Sequence, residues 1–192
     1  MSARTVLQQP DMARALTRIA HEVLESNRGS DDLVILGIPT RGVALASRIG
    51  AEIGRIDDST PAVGSLDVTA YRDDLVQHPD RVPATTSIPE RIDGKTVVLV
   101  DDVLYSGRTI RAALDALSDL GRPKAVRLAV LVDRGHREFP IRADFVGKNL
   151  PSSTRERINV RLLEVDGEDA VTIDGRTADG GDSDALHDGE AR

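Results

Sequence analysis

Thr96-Val97-Val98-Leu99-Val100-Asp101-Asp102-Val103-Leu104-Tyr105-Ser106-Gly107-Arg108-Thr109 decides how this chain is read. Its apolar half has the continuity of a strand buried on both faces, the habit of parallel sheets. The strand delivers two adjacent carboxylates to a Ser-Gly-Arg-Thr loop. A helix is expected from Ser106 to Leu120, burying Ile110, Ala113, Leu114 and Leu117, with Gly121 and Pro123 as its stop. In open α/β sheets, ligands sit beyond the carboxyl ends of strands. A helix N-terminus there offers unpaired N–H groups to a phosphate. Gly107 permits close backbone approach, and Ser106 and Thr109 add hydroxyls. Asp101 and Asp102 repel each other unless something cationic or hydroxyl-rich lies between them, and a sugar diol with Mg²⁺ fits that need. A plain helix cap would explain the acids but not the loop, and the Gly-Lys-[Ser/Thr] of a Walker loop is missing.

Working outward, Pro10-Asp11 opens a helix that Asn27 and Gly29 close. Leu16, Ile19, Ala20, Val23 and Leu24 form its buried stripe. Arg14, Thr17, Arg18, His21 and Arg28 lie opposite. Leu33–Ile38 is a second doubly buried strand, followed by a helix from Gly42 to Arg55. Strands are also expected at Ala62–Thr69, Ala125–Val132, Ala143–Val146, Val160–Val165 and Val171–Ile173. The alternation implies an open α/β sheet with right-handed crossovers. The polar segment 71–92, broken by Pro79, Pro83 and Pro89, reads as a mobile flap. One domain is expected over residues 1–177.

The 192 residues contain no cysteine and no tryptophan, which excludes thiol chemistry and disulfides. Two Tyr and two Phe are too few for binding single strands by base stacking. No apolar run approaches the ~20 residues needed to cross a bilayer, so a cytoplasmic protein without a membrane partner is expected. The net charge of −7 first counts against nucleic acid, but it is unevenly spread. Residues 178–192 hold five acids against one base and read as a disordered, solvating tail, leaving −3 for the body. Basic stretches remain on the first helix and over 134–157.

The 96–109 run resembles the 5-phosphoribosyl-1-pyrophosphate (PRPP) signature of type I phosphoribosyltransferases. That resemblance implies their fold, a mostly parallel sheet flanked by helices with a flexible flap and a small hood. It gives the ribose hydroxyls to Asp101 and Asp102, and the 5′-phosphate to Tyr105, Ser106, Gly107, Arg108 and Thr109. Mg²⁺ would arrive with PRPP, with Asp101 and Asp102 as candidate contacts. Pyrophosphate falls to Thr40, Arg41 and Gly42, where a non-proline cis bond is expected at Thr40–Arg41. Arg72 is the candidate for neutralising the departing pyrophosphate. Purine-using relatives carry Asp just before the Ser/Thr-Gly. Tyr105 stands there instead, which disfavours a purine substrate.

Leu131–Pro151, Thr17–Glu22, Pro39–Gly42 and Tyr71–Leu75 together resemble one subgroup, the pyrimidine operon regulators that are also uracil phosphoribosyltransferases. The resemblance implies base binding at Val146 and Lys148, and UMP or UTP as ligands. It also implies a leader mRNA stem-loop partner met by Thr17, Arg18, His21, Arg28, Arg137 and Arg142. A homodimer or higher homo-oligomer would bring these basic surfaces together. The alternatives are a purine phosphoribosyltransferase and an RNA-binding regulator with little enzyme activity.

Overall fold

The computed structural model describes residues 3–73 and 84–175. The acidic tail and the middle of the flap, residues 74–83, lie outside them. The chain runs through β1 (Arg4–Gln8), α1 (Gln9–Asn27), β2 (Leu33–Gly37), α2 (Arg41–Asp57) and β3 (Ala62–Ser65). It continues through β4 (Thr96–Leu104), α3 (Arg108–Leu120), β5 (Ala125–Asp133), β6 (Phe145–Asn149), β7 (Glu156–Arg161), α4 (Leu163–Asp166) and β8 (Ala170–Gly175). Five strands form a parallel sheet in the order β3-β2-β4-β5-β6. Its central strands are apolar without alternation because helices cover both faces. On one face, Leu16, Ile19 and Val23 of α1 join Leu45, Ile49 and Ile53 of α2 over Ile35, Val98 and Leu131. On the other, Ile110, Ala113 and Leu117 of α3 pack over Val97, Leu99, Leu128 and Val130.

A second sheet is antiparallel, in the order β1-β8-β7, and forms the hood. The expected strand Val160–Val165 ends at Arg161, and Leu163 and Val165 are exposed in the short turn of α4. The expected strand Ala62–Thr69 stops at Ser65, before a 3₁₀ turn at Thr69–Tyr71. Leu114 is 40% exposed, and Ala112 and Ala116 fill the buried face of α3 instead. The arm returning from the flap lies along β3, where Ser65 and Ser87 exchange backbone hydrogen bonds of 2.8 and 2.9 Å.

Two features position the site. β2 crosses through α2 to β3 at one edge, whereas β4 crosses through α3 to β5 on the other side. The order in which successive strands are laid down therefore reverses between β2 and β4, opening a crevice at their carboxyl ends. The turn from β2 into α2 also presses directly on β4. A Cβ at Gly42 would lie 2.4 Å from the Val100 carbonyl oxygen and 3.4 Å from the Asp101 Cα. Replacement of Gly42 by Ala should therefore force α2 away from β4, at a cost of about 1–3 kcal/mol. Thermal unfolding of Gly42→Ala checks this, and an unchanged Tm would show that the contact is not tight.

Candidate active site

β4 does not stop at the acid pair. It continues to Leu104, four residues beyond the last β2 partner, Gly37 opposite Val100. Asp101 and Asp102 therefore stand on a strand whose β2 side is open, and they line a cleft of about 540 Å³. Asp101 is 9% exposed and accepts the Asp102 N–H at 2.9 Å, while Asp102 accepts the Val103 N–H at 2.8 Å. Burial, and then the neighbouring Asp102 charge, hold the Asp101 carboxyl well above the usual carboxylate range. Burial also raises Asp102, opposed by the Val103 N–H and by the positive charge of Arg41. Arg72 exerts the corresponding pull on Asp101.

Two loops flank the pair. The first, residues 38–42, joins β2 to α2, and the Ile38 N–H reaches the Val100 carbonyl at 2.9 Å. Its non-proline cis bond is Pro39–Thr40, one bond earlier than expected. Thr40 and Arg41 line the cleft. Gly42 is buried behind them. The second loop turns β4 into α3 at Gly107, whose φ of 92° is the left-handed conformation that glycine accepts without strain. The helix begins at Arg108, two residues later than Ser106, so the loop is longer than its sequence suggests. Thr109 lines the cleft, and Arg72 donates to its hydroxyl. Arg72 thus lies on the side of the second loop, across from Arg41. Arg108 points elsewhere, pairing with Asp73 at 2.9 Å and Glu138 at 2.6 Å.

Segment 134–141 braces the second loop, a role that sequence reasoning missed. The Ser106 carbonyl accepts the Glu138 and Phe139 N–H groups at 2.9 and 3.1 Å. The Arg134 guanidinium stacks 4.4 Å from the Tyr105 ring centroid, and His136 meets that ring edge-on. Arg137, expected at an RNA surface, is half-buried and commits its guanidinium to bonds within the chain. It bonds the Tyr105 carbonyl at 2.8 Å, the Ile141 carbonyl at 2.9 Å, and the Asp133 carboxylate. A charge surrounded by carbonyls has no sequence signal, because only the fold brings those oxygens together.

Val146 lies in register with Asp101 across the sheet, through Val130 of β5. Two strand spacings put the backbones about 10 Å apart. Lys148 follows on the same strand and is exposed. Neither residue lines the cleft that holds the acids. Of the remaining RNA candidates, half-buried Thr17 and exposed Arg18 and His21 share one strip of α1 with Ala13 and Arg14. Thr17 donates to Glu52 at 3.1 Å, and Arg18 bonds the Val146 and Gly147 carbonyls at 3.0 and 2.7 Å. Arg28 caps the far end of α1, beside Lys124 and Arg127. Arg142 is exposed.

A crevice at the switch point, with the two acids between two strand-to-helix loops, is the arrangement the PRPP resemblance implies. A profile described as phosphoribosyl transferase domain matches residues 2–162. The chain belongs to the phosphoribosyltransferase family. It is similar to the Bifunctional protein PyrR of Leifsonia xyli subsp. xyli, 72% identical over 179 residues, covering 91% of this chain and 98% of that one. The Bifunctional protein PyrR of Streptomyces coelicolor is 63% identical over 177 residues, 92% of each chain. The fold is also that of a hypoxanthine-guanine phosphoribosyltransferase from Bacillus anthracis. That structure superposes with a TM-score of 0.65 at 18% identity, over 92% of this chain and all of the other.

Among the described residues, no cluster of three or more His, Cys, Asp or Glu could hold a metal by itself. Two adjacent carboxylates can take part in binding Mg²⁺ only when further oxygens come with the ligand, as phosphates do. Among the described residues no helix is long and apolar enough to cross a membrane.

The raised pKa of Asp101 carries a stability cost. Its folded value lies above the unfolded 3.8, so the stability it contributes is present below that pH and lost as pH rises through the folded value. Asp101→Asn should therefore be more stable than wild type at neutral pH, by about 1 kcal/mol or roughly 2–4 °C in Tm. The gain should shrink on acidification. A variant that melts below wild type at neutral pH would contradict the assignment.

Proposed function

We propose that this chain makes UMP and pyrophosphate from uracil and PRPP. We further propose that it binds RNA in a uridine-nucleotide-dependent way to regulate pyrimidine biosynthesis genes. The observation that carries the enzymatic half is the desolvated Asp101–Asp102 pair between two loops suited to anions. The names of the relatives, bifunctional PyrR proteins, support the double role.

In this reading Asp101 and Asp102 accept hydrogen bonds from the ribose hydroxyls. Tyr105 to Thr109 enclose the 5′-phosphate at the start of α3, where helix N–H groups and the dipole favour an anion. Thr40, Arg41 and Gly42 meet the pyrophosphate, and Arg72, which also lines the cleft, helps neutralise it as it departs. Mg²⁺, when bound with PRPP through its oxygens and the acid pair, supplies charge neutralisation for the leaving group. Uracil lies toward β6, where backbone groups near Val146 read its edge and Lys148 stands close by. The ~10 Å from Asp101 to Val146 suits a nucleoside laid across β4, β5 and β6. Catalysis is then positioning and electrostatic stabilisation, without a covalent intermediate. No carboxylate stands at Tyr105 to work on a purine ring nitrogen.

For RNA, Thr17, Arg18 and His21 offer one strip on α1, with Arg28 and Arg142 elsewhere on the surface. In a homodimer two such strips would come together on a chain that is acidic overall. Recognition would rest on phosphates and RNA shape.

Product analysis with PRPP and uracil, hypoxanthine or guanine tests the substrate. UMP from uracil is expected, and the absence of turnover with uracil would sink the proposal. Asp102→Asn should lower UMP formation by about a hundredfold or more while leaving RNA binding measured without nucleotide unchanged. Arg18→Ala with His21→Ala should weaken UMP-dependent RNA binding by about tenfold or more. Unchanged RNA affinity would place the RNA face elsewhere.

A further inference from the structure

The hood is stapled to α2 by two arginines seven residues apart, and they are used differently. Arg48 is saturated on both edges. Its Nε and Nη2 grip Glu164 at 2.8 and 2.6 Å, while Nη1 and Nη2 grip Asp169 at 3.0 and 2.7 Å. Arg41 is held on one edge only, Nε to Asp166 Oδ2 at 3.0 Å and Nη2 to Oδ1 at 2.7 Å. Its Nη1 group has no hydrogen bond among the described residues, and its side chain borders the cleft beside Asp102. A guanidinium presents two bidentate edges, so Asp166 leaves the second one for a ligand.

Asp166 is itself held firmly. Its carboxylate accepts the Leu162 N–H at 2.9 Å, and its own N–H donates to the Leu162 carbonyl at 2.6 Å. Asp169 likewise accepts the Leu163 N–H at 2.9 Å. Asp166 and Asp169 are therefore fixed by their own segment's backbone before they reach across to α2.

We propose that Asp166 is a positioning residue for the pyrophosphate half of the substrate, holding Arg41 so that its Nη1 edge faces the cleft. This rests on Arg41 being a pyrophosphate residue. It makes the affinity for PRPP a property of the hood as well as of the central sheet. An arginine fixed beforehand loses less side-chain freedom when the ligand arrives, which favours binding.

Titration calorimetry on the full-length chain with Mg²⁺ tests the idea, using PRPP, inorganic pyrophosphate and UMP as separate ligands. Asp166→Asn should raise the Kd for PRPP and for pyrophosphate by about tenfold, while UMP, which has no pyrophosphate, stays within about twofold. Asp166→Glu should recover most of the loss, and Arg48→Gln should lower Tm without moving either Kd in that ratio. A Kd for PRPP that falls in Asp166→Asn would mean that Asp166 competes for Arg41, and would overturn the inference. Equal weakening of all three ligands would overturn it too, as a general structural defect. Arg41→Ala separates the two levels. If it leaves pyrophosphate binding unchanged, the reading of Arg41 itself fails. If it weakens pyrophosphate while Asp166→Asn does not, only the role of Asp166 is refuted.

Discussion

Everything at the candidate site depends on two carboxylates held in a strand that has lost one neighbour. Up to Val100, β4 is an ordinary central strand with parallel partners on both sides. Beyond it β2 turns away into α2, whose first turn sets Gly42 against the Val100 carbonyl. The acids are left between a sheet edge and a cleft, desolvated but within reach of a ligand. A buried charge is costly unless it is paired. Within the chain the compensation is partial: one N–H for each carboxylate and the distant pull of Arg41 and Arg72. A ligand bringing hydroxyl donors and a cation would complete it.

The loops around the pair are held from outside the cleft. Segment 134–141 supports the 105–107 turn through the Ser106 and Tyr105 carbonyls and a cation stacked on Tyr105. The hood supports the 39–42 turn through Arg41. Both turns are thus braced without a ligand, and one edge of the Arg41 guanidinium has no hydrogen bond among the described residues.

The central sheet was legible because continuous apolar runs such as Leu33–Ile38 and Thr96–Val100 have few other uses, and because Gly and Pro mark the helix ends. The carboxylates were legible for the same reason: acids at the end of such a run are out of place without a ligand. β1 was not, since Arg4–Gln8 holds only Val6 and Leu7 as apolar residues and is paired by β8, at the opposite end of the chain. The Arg41–Asp166 and Arg48–Glu164 pairs span 125 and 116 residues and leave no local pattern. The bracing bonds of Arg137 to the Ile141 and Tyr105 carbonyls had no sequence signal, because only the fold brings those oxygens to it. The extent of β4 misled in the opposite sense, because acids read as the end of a strand that in fact continues to Leu104.

The most direct test of this account is the proton balance when Mg²⁺ and PRPP bind. Titration calorimetry at mildly acidic pH, in buffers of different ionisation enthalpy, reports it. If burial raises the pKa of the acid pair and the ligand's positive charge lowers it again, wild-type protein releases protons on binding and Asp101→Asn releases fewer. Binding with no proton release in wild type, or with the same release in Asp101→Asn, would contradict it.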